Sequence, residues 1–426
     1  MTLTQALRLA FFLMIPLSTA FAGREPRRPF PQHTRYAEGT LLPSGDRGAL
    51  DRAVISFYKV WKKLYLRAAG PDRLYIFANP LAAPPSAENP DTIAVSEGQG
   101  YGMMIVALMA GADRRARPLF DALYRYADAQ PARKDPDLMA WRQRYPGGGD
   151  KVSRKDEGDR NAATDGDLDI ACALLLADRQ WGSDGPINYR REALRRLDAI
   201  LKAETDPKRR IFLLGNWVDP KGPHGAAFRT SDFMPAHLKQ FGRASGDVRW
   251  KALTDRLYPI FASLAVLRTP PTGLLPDFAV ADPKTPGSYL PAPPQFLESK
   301  NDGRYSYNAC RVPWRLGTDY LLNGDPRARA VLDPLNAWVR RATGGDPARL
   351  NAGYRLRGLP LQPLHRSAAF IGPFAVAAMT DTSPGSQEWL DALWADLVHR
   401  APEEDAYYGN TLKLLSMIVL SGNWWQ

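Results

Sequence analysis

The chain has 426 residues, with 56 Lys plus Arg against 45 Asp plus Glu, a formal net charge of +11. At 45% hydrophobic and 24% charged residues it can bury a large core, which excludes intrinsic disorder as the default state. Two cysteines exclude a disulfide framework and a four-cysteine zinc site, and 34 Gly with 37 Pro exclude a coiled coil or a continuous helical array.

In chain order, residues 1–22 read as an export signal: Arg8, the apolar stretch Leu9 to Leu17, then the small-x-small site Ala20-Phe21-Ala22. That stretch is too short to span a bilayer and Arg24, Arg27 and Arg28 follow it, so a membrane anchor is the weaker alternative. No membrane span is expected elsewhere, and the protein is expected to be periplasmic or secreted from a bacterium, as one domain over residues 23–426. Apolar residues three and four apart recur near 48–66, 98–112, 117–130, 167–181, 187–204, 232–245, 247–267, 313–323, 326–343, 366–379, 385–400 and 404–421, which gives twelve helices. Met103 to Met109 and Ala171 to Ala177 are apolar all round, whereas Asn188 to Lys202 is amphipathic. An inner ring of buried helices inside an outer ring of amphipathic ones accounts for both patterns. The fold class expected is therefore all-α, a toroid of six helix pairs; the α-solenoid alternative lacks a constant sequence period. Long connections at 80–90, 145–159, 268–301 and 343–363 are candidates for functional loops, and the runs 74–77 and 210–214 read as local hairpin pieces. The basic run Arg190 to Arg210 alternates with Leu194, Leu197, Ile200 and Leu201 as a solvated helix face, so no nucleic-acid partner is expected.

The five histidines form no HExxH pair, and neither GxSxG nor GxxxxGK[ST] occurs. Gly98-Gln99-Gly100-Tyr101-Gly102 lacks the third glycine of a dinucleotide fingerprint, Met103 standing in its place. The acidic run Asp165-Gly166-Asp167-Leu168-Asp169 has Ile170 and Leu176 where a calcium loop needs Gly and Glu. No cofactor and no metal are expected. Helix capping through Thr164 or Asp165 explains one acid of that run, and Ser96 with Glu97 can likewise cap a helix. Two segments that each present acid at the start of a buried helix nevertheless suggest a carboxylate pair at one end of a barrel, and paired carboxylates without metal or histidine point to glycosidic bond hydrolysis.

Three motifs carry a more specific likeness. Ala163 to Ala171, continued by Ala173, Leu174, Leu175, Ala177 and Trp181, together with Ser96 to Gly102 and Tyr307-Asn308-Ala309-Cys310-Arg311-Val312-Pro313-Trp314-Arg315, resemble glycoside hydrolase family 8. The resemblance covers most of the chain and implies an (α/α)6 barrel and an endo-acting, inverting hydrolase of β-1,4-linked polymers. By it, Glu97 is the general acid and Asp165 holds the sugar at the cleavage point. Asn308 departs from the pattern, because many members carry an Asp base there. A subgroup that includes chitosanases and glucanases has Asn at this place and a Glu ten residues earlier, which is Glu298 here. Tyr101, Trp141, Asp167, Trp217, Tyr307, Asn308, Arg311 and Tyr408 are expected to touch substrate, with Tyr407 among the cleft aromatics. The reading is a cofactor-free, monomeric endo-β-1,4-glucanase. Its alternatives are a chitosanase, which a charge of +10 after loss of Arg8 opposes through long-range repulsion, and a polysaccharide-binding protein without catalysis. Cys172 and Cys310 are expected as buried thiols, a disulfide being the alternative.

Overall fold

The structure is a computed structural model that describes residues 25–78, 92–144, 158–403 and 407–426. The export-signal segment 1–22, the connection 80–90 and residues 145–157 of the next connection lie outside the described residues. Twelve helices of eleven residues or more are present among those described: α1 (Arg47–Tyr65), α2 (Ser96–Leu108), α3 (Ala116–Asp128), α4 (Thr164–Trp181), α5 (Tyr189–Ala203), α6 (Pro235–Ser245), α7 (Arg249–Ala265), α8 (Val312–Asn323), α9 (Pro326–Thr343), α10 (Ala368–Ala378), α11 (Ser386–His399) and α12 (Tyr407–Leu420). Each matches one of the twelve periodic segments within a few residues. Their limits follow local chemistry: Pro235, Pro313 and Pro326 open α6, α8 and α9, while Gly246, Gly324 and Gly344 close them in the left-handed conformation.

The even-numbered helices form the inner ring. α2 packs on α4, α4 on α6, α6 on α8, α8 on α10, α10 on α12, and α12 closes on α2; the odd-numbered helices pack outside their neighbours. This is an (α/α)6 barrel. All of α10 and nearly all of α2 and α4 are buried, whereas α3 and α5 bury one face. The hydrophobicity pattern follows from position: an inner helix meets neighbours on every side, an outer one only on one. No helix among the described residues is long and apolar enough to cross a membrane.

Among the described residues nine short strands decorate the barrel. β1 (Leu66–Ala68) pairs with β2 (Leu74–Ile76), β3 (Thr92–Val95) with β4 (Arg142–Arg144), and β5 (Thr205–Asp206) with β6 (Ile211–Phe212), all antiparallel. β7 (Ala227–Arg229), β8 (Phe278–Ala281) and β9 (Tyr289–Pro291) form a three-stranded antiparallel sheet in which Arg229 lies opposite Phe278. The 268–301 connection, expected as a loop, thus contains two strands of this sheet. Strands of three or four residues are too short to display a period of two. The sheet lies over a small satellite core of Leu213, Leu214, Val218, Phe278 and Ala292.

The disulfide alternative is corrected. Cys172 sits in mid-helix with its thiol toward Gln240 Oε1 at 3.3 Å, while Cys310 lies against the Tyr307 carbonyl at 3.2 Å, and both are free.

Candidate active site

The amino ends of α2 and α4 touch because glycines permit it. A Cβ on Gly166 would lie 2.2 Å from Ser96 Oγ, and one on Gly100 would lie 2.7 Å from Asp169 Cβ. The contact brings Glu97 and Asp165 to one guanidinium: Arg311 Nη1 donates to Glu97 Oε2 and to Asp165 Oδ2, the latter at 2.8 Å. Asp165 satisfies one first-turn amide, its Oδ1 accepting from Gly166 N at 2.9 Å, but neither acid occupies the cap position of its helix. Val95 and Ala163 hold the cap positions without side-chain bonds, and Thr164 Oγ1 instead donates to the Leu213 carbonyl at 2.7 Å.

The two carboxyls are driven apart by their surroundings. Burial pushes Glu97 above the usual glutamate range, Asp165 adding to the rise, against the pull of Arg311 and of the Tyr407 hydroxyl, which donates to Glu97 Oε1 at 2.5 Å. Burial would also raise Asp165, but the Arg229 and Arg311 guanidiniums outweigh it and hold that carboxyl at about 2. One acid is thereby disposed to keep a proton while its neighbour stays ionised, the separation of roles that acid catalysis needs.

Glu298 reaches the same network through two partners. Its Oε2 accepts from Asn308 Nδ2 at 2.7 Å, and Asn308 Oδ1 in turn accepts from Arg311 Nη2 at 3.0 Å. Its Oε1 accepts from Arg229 Nη2 at 3.1 Å, and Arg229 Nη1 points toward Asp232 at 3.5 Å and Asp165 at 3.9 Å. The Glu298 side chain remains 44% exposed, so water has access to it. The 268–301 connection therefore folds back over the barrel mouth and does not aim Glu298 into bulk solvent.

Several of the expected aromatics neighbour these acids. Trp141 adjoins Glu97, its carbonyl accepting from Ser96 N at 2.9 Å, and Trp217 packs with His224, which meets Phe296 near the Glu298 loop. Tyr307 is 43% exposed, and Tyr408 OH donates to its carbonyl at 2.5 Å.

Three residues expected to touch substrate do not reach the cleft surface. Asp167 is fully buried, its Oδ1 accepting from Arg196 and from Met139 N. Tyr101 and Arg311 are at most 1% exposed and act from behind the carboxylates. The reasons differ: Asp167 lies in the first turn of α4 but about 200° around the helix from Asp165, Tyr101 lies past the first turn of α2, and Arg311 ends the 3-10 turn that precedes α8. The crowding of acids on α4 resolves the same way, with Asp165 at the mouth, Asp167 paired to Arg196 and Asp169 paired to Arg315. Sequence reasoning missed Arg229, Asp232, Asp277 and Asp302; they lie on or beside short strands and loops without a motif. Tyr407 was legible only as one aromatic among several. Among the described residues no group of three or more His, Cys, Asp or Glu is arranged to hold a metal ion.

An (α/α)6 barrel whose mouth gathers a proton-retaining carboxyl, an ionised one and a water-accessible one beside several aromatics is the arrangement of a glycoside hydrolase. Residues 51–422 match the family described as Glycosyl hydrolases family 8, and the chain belongs to that family. It is 42% identical over 415 residues to a β-glucanase of Niallia circulans, covering 97% of this chain and 95% of the relative. It is 36% identical to an endoglucanase of Bacillus sp. strain KSM-330, covering 96% of this chain and 84% of the relative. Among solved structures, a β-1,3-1,4-glucanase of Paenibacillus sp. X4 superposes with a TM-score of 0.84 at 40% identity, over 94% of this chain and 100% of that one.

Proposed function

We propose that the protein is an exported endo-acting hydrolase of β-1,4-linked glucan, cellulose or mixed-linkage β-glucan, that inverts the anomeric centre within a single catalytic domain spanning residues 23–426. The observation that carries this reading is the continuous path Glu298–Asn308–Arg311–Glu97, which ties a water-accessible carboxylate to a proton-retaining one. The β-glucanase and endoglucanase relatives support glucan as the substrate class.

In this reading Glu97 carries the proton that burial favours and delivers it to the glycosidic oxygen. Glu298 takes a proton from water on the opposite face of the sugar. In an inverting pair the carboxyls stand roughly 6.5–9.5 Å apart so that this water fits. Asp165, held ionised, accepts a hydroxyl hydrogen bond from the sugar at the cleavage point. Trp141, Trp217, Tyr307 and Tyr408 supply faces for ring stacking. Chitosan is the less favoured substrate, because Arg229 and Arg311 already balance the acids at the mouth and leave little negative charge for an ammonium group.

Reducing-sugar release from carboxymethylcellulose, mixed-linkage glucan, xylan and chitosan tests the reading. Rapid release from a glucan, lost in Glu298→Ala, is expected, with azide partly restoring chain cleavage, read as loss of viscosity because the glycosyl azide product has no reducing end. Faster release from chitosan would replace the substrate class, and undiminished turnover by Glu298→Ala would remove the base.

A further inference from the structure

The segment that carries Glu298 has no regular secondary structure between β9 and α8 apart from one short 3-10 turn at Ala309–Arg311, yet a general base must be held in place to a fraction of an ångström. Its backbone is hung from a single buried carboxylate. Asp302 Oδ2 accepts from Leu297 N at 2.7 Å and Glu298 N at 3.0 Å, and Asp302 Oδ1 accepts from Ser299 N at 2.8 Å. Asp302 is 1% exposed, although the loop it holds is largely at the surface.

Asp302 is itself fixed. Its carbonyl accepts from Phe278 N of β8 at 2.8 Å, and the next residue, Gly303, runs so close to the preceding strand that a Cβ there would lie 2.1 Å from the Ala292 carbonyl. The far end of the segment repeats the device. Asp277, one residue before β8, uses Oδ1 to accept from Ser306 N at 3.0 Å, Asn308 N at 3.2 Å and Ala309 N at 2.7 Å. β8 pairs with β7, and β7 supplies Arg229, the cation on Glu298. One strand pair thus anchors the backbone on both sides of the base and also its side-chain partner.

We infer that Asp302, with Asp277 as its counterpart, is a positioning residue that holds the Glu298 carboxylate where it can activate water. The inference rests on the reading of Glu298 as the base. The two oxygens of the Asp302 carboxyl, shared among three consecutive amides, fix the backbone of residues 297–299 in one conformation. In Asp302→Asn one of the two oxygens becomes an N–H donor facing backbone N–H groups, so part of this grip is lost while the side chain keeps its shape.

The test compares Asp302→Asn with Glu298→Ala on a soluble β-glucan, with and without azide. Azide attacks the anomeric carbon from the face that water would use, the glycosidic C–O bond breaks, Glu97 protonates the leaving oxygen, and a glycosyl azide forms without any base. Asp302→Asn should lose about 10- to 100-fold in kcat with KM within about twofold, and azide should raise its turnover. A fold weakened in a general way would not respond to azide. Native kcat, or a loss that azide leaves untouched, would overturn the inference. If Asp302→Asn does not fold, amide hydrogen exchange of the native enzyme decides: protection at residues 297–299 is expected, and exchange at the rate of a free loop would overturn the anchoring. Full activity of Glu298→Ala would mean that the base reading has failed. Activity lost in Glu298→Ala but native in Asp302→Asn would mean that only the anchoring has failed.

Discussion

Asn308→Asp is a sharp probe of the Glu298 environment, because the substitution exchanges a donor for an acceptor without changing shape. Asn308 Nδ2 donates to Glu298 Oε2 at 2.7 Å, and its Oδ1 accepts from Arg311 Nη2 at 3.0 Å. An aspartate keeps the second bond but sets one carboxylate against another. Two unit charges at that separation repel by about 6 kcal/mol at an effective dielectric of 20 and by about 1.5 kcal/mol at that of water. Glu298 is 44% exposed, so the value belongs toward the lower end, and Arg229 and Arg311 offset part of it. At about 1.36 kcal/mol per pKa unit, this repulsion should raise the pH at which the two carboxylates of the variant take up a shared proton by up to about one unit. The assay is the pH dependence of kcat/KM on a soluble β-glucan. Its acid limb should move to higher pH by that amount, with the plateau largely retained. An acid limb in the native position would refute the account of Glu298 as a base hydrogen-bonded to Asn308.

Glu97→Gln should lower hydrolysis of unactivated glucan by about 10²- to 10⁴-fold with the melting temperature unchanged, and an aryl glycoside with a good leaving group should recover most of the loss because it needs no protonation. Arg196→Ala removes the cation beside Asp167, whose pKa burial already raises to about 6, so this carboxyl should take up a proton in the barrel wall, and loss of the buried pair should cost about 3–5 kcal/mol of stability in chemical denaturation while kcat at low temperature changes little. Lys413, buried on α12 with its ammonium donating to the Arg400 carbonyl at 2.6 Å, has its pKa lowered by burial to about 8. Between that value and the 10.5 of an exposed lysine the unfolded chain binds the extra proton, so stability should rise with pH across this window. Denaturation curves at several pH values should show the rise in the native protein and its absence in Lys413→Met.

The barrel was legible because helix period and all-round hydrophobicity are properties of long segments. Met103 to Met109 could only be a helix buried on several sides, and it lies in the inner ring. Glu97 and Asp165 stood out as acids at the threshold of such helices. The partners that define their chemistry did not, since Arg311 meets Glu97 across 214 positions and Arg229 meets Glu298 across 69. Nor could spacing tell that Asp167, two residues from Asp165, turns to Arg196 and away from the cleft, because that depends on which way the first turn of α4 faces. The three-stranded sheet escaped notice for a related reason: its strands are short, and they are held between the satellite core and the main core, which Phe228, Ala279 and Tyr289 join, and not by any local pattern.

The central claim is that Glu97 and Glu298 act as acid and base on opposite faces of the scissile bond. Proton NMR of the anomeric signals during the first minutes of β-glucan hydrolysis, before mutarotation mixes the products, tests it most directly. The account predicts that the α-anomer of the new reducing end appears first. A β-anomer appearing first would contradict it.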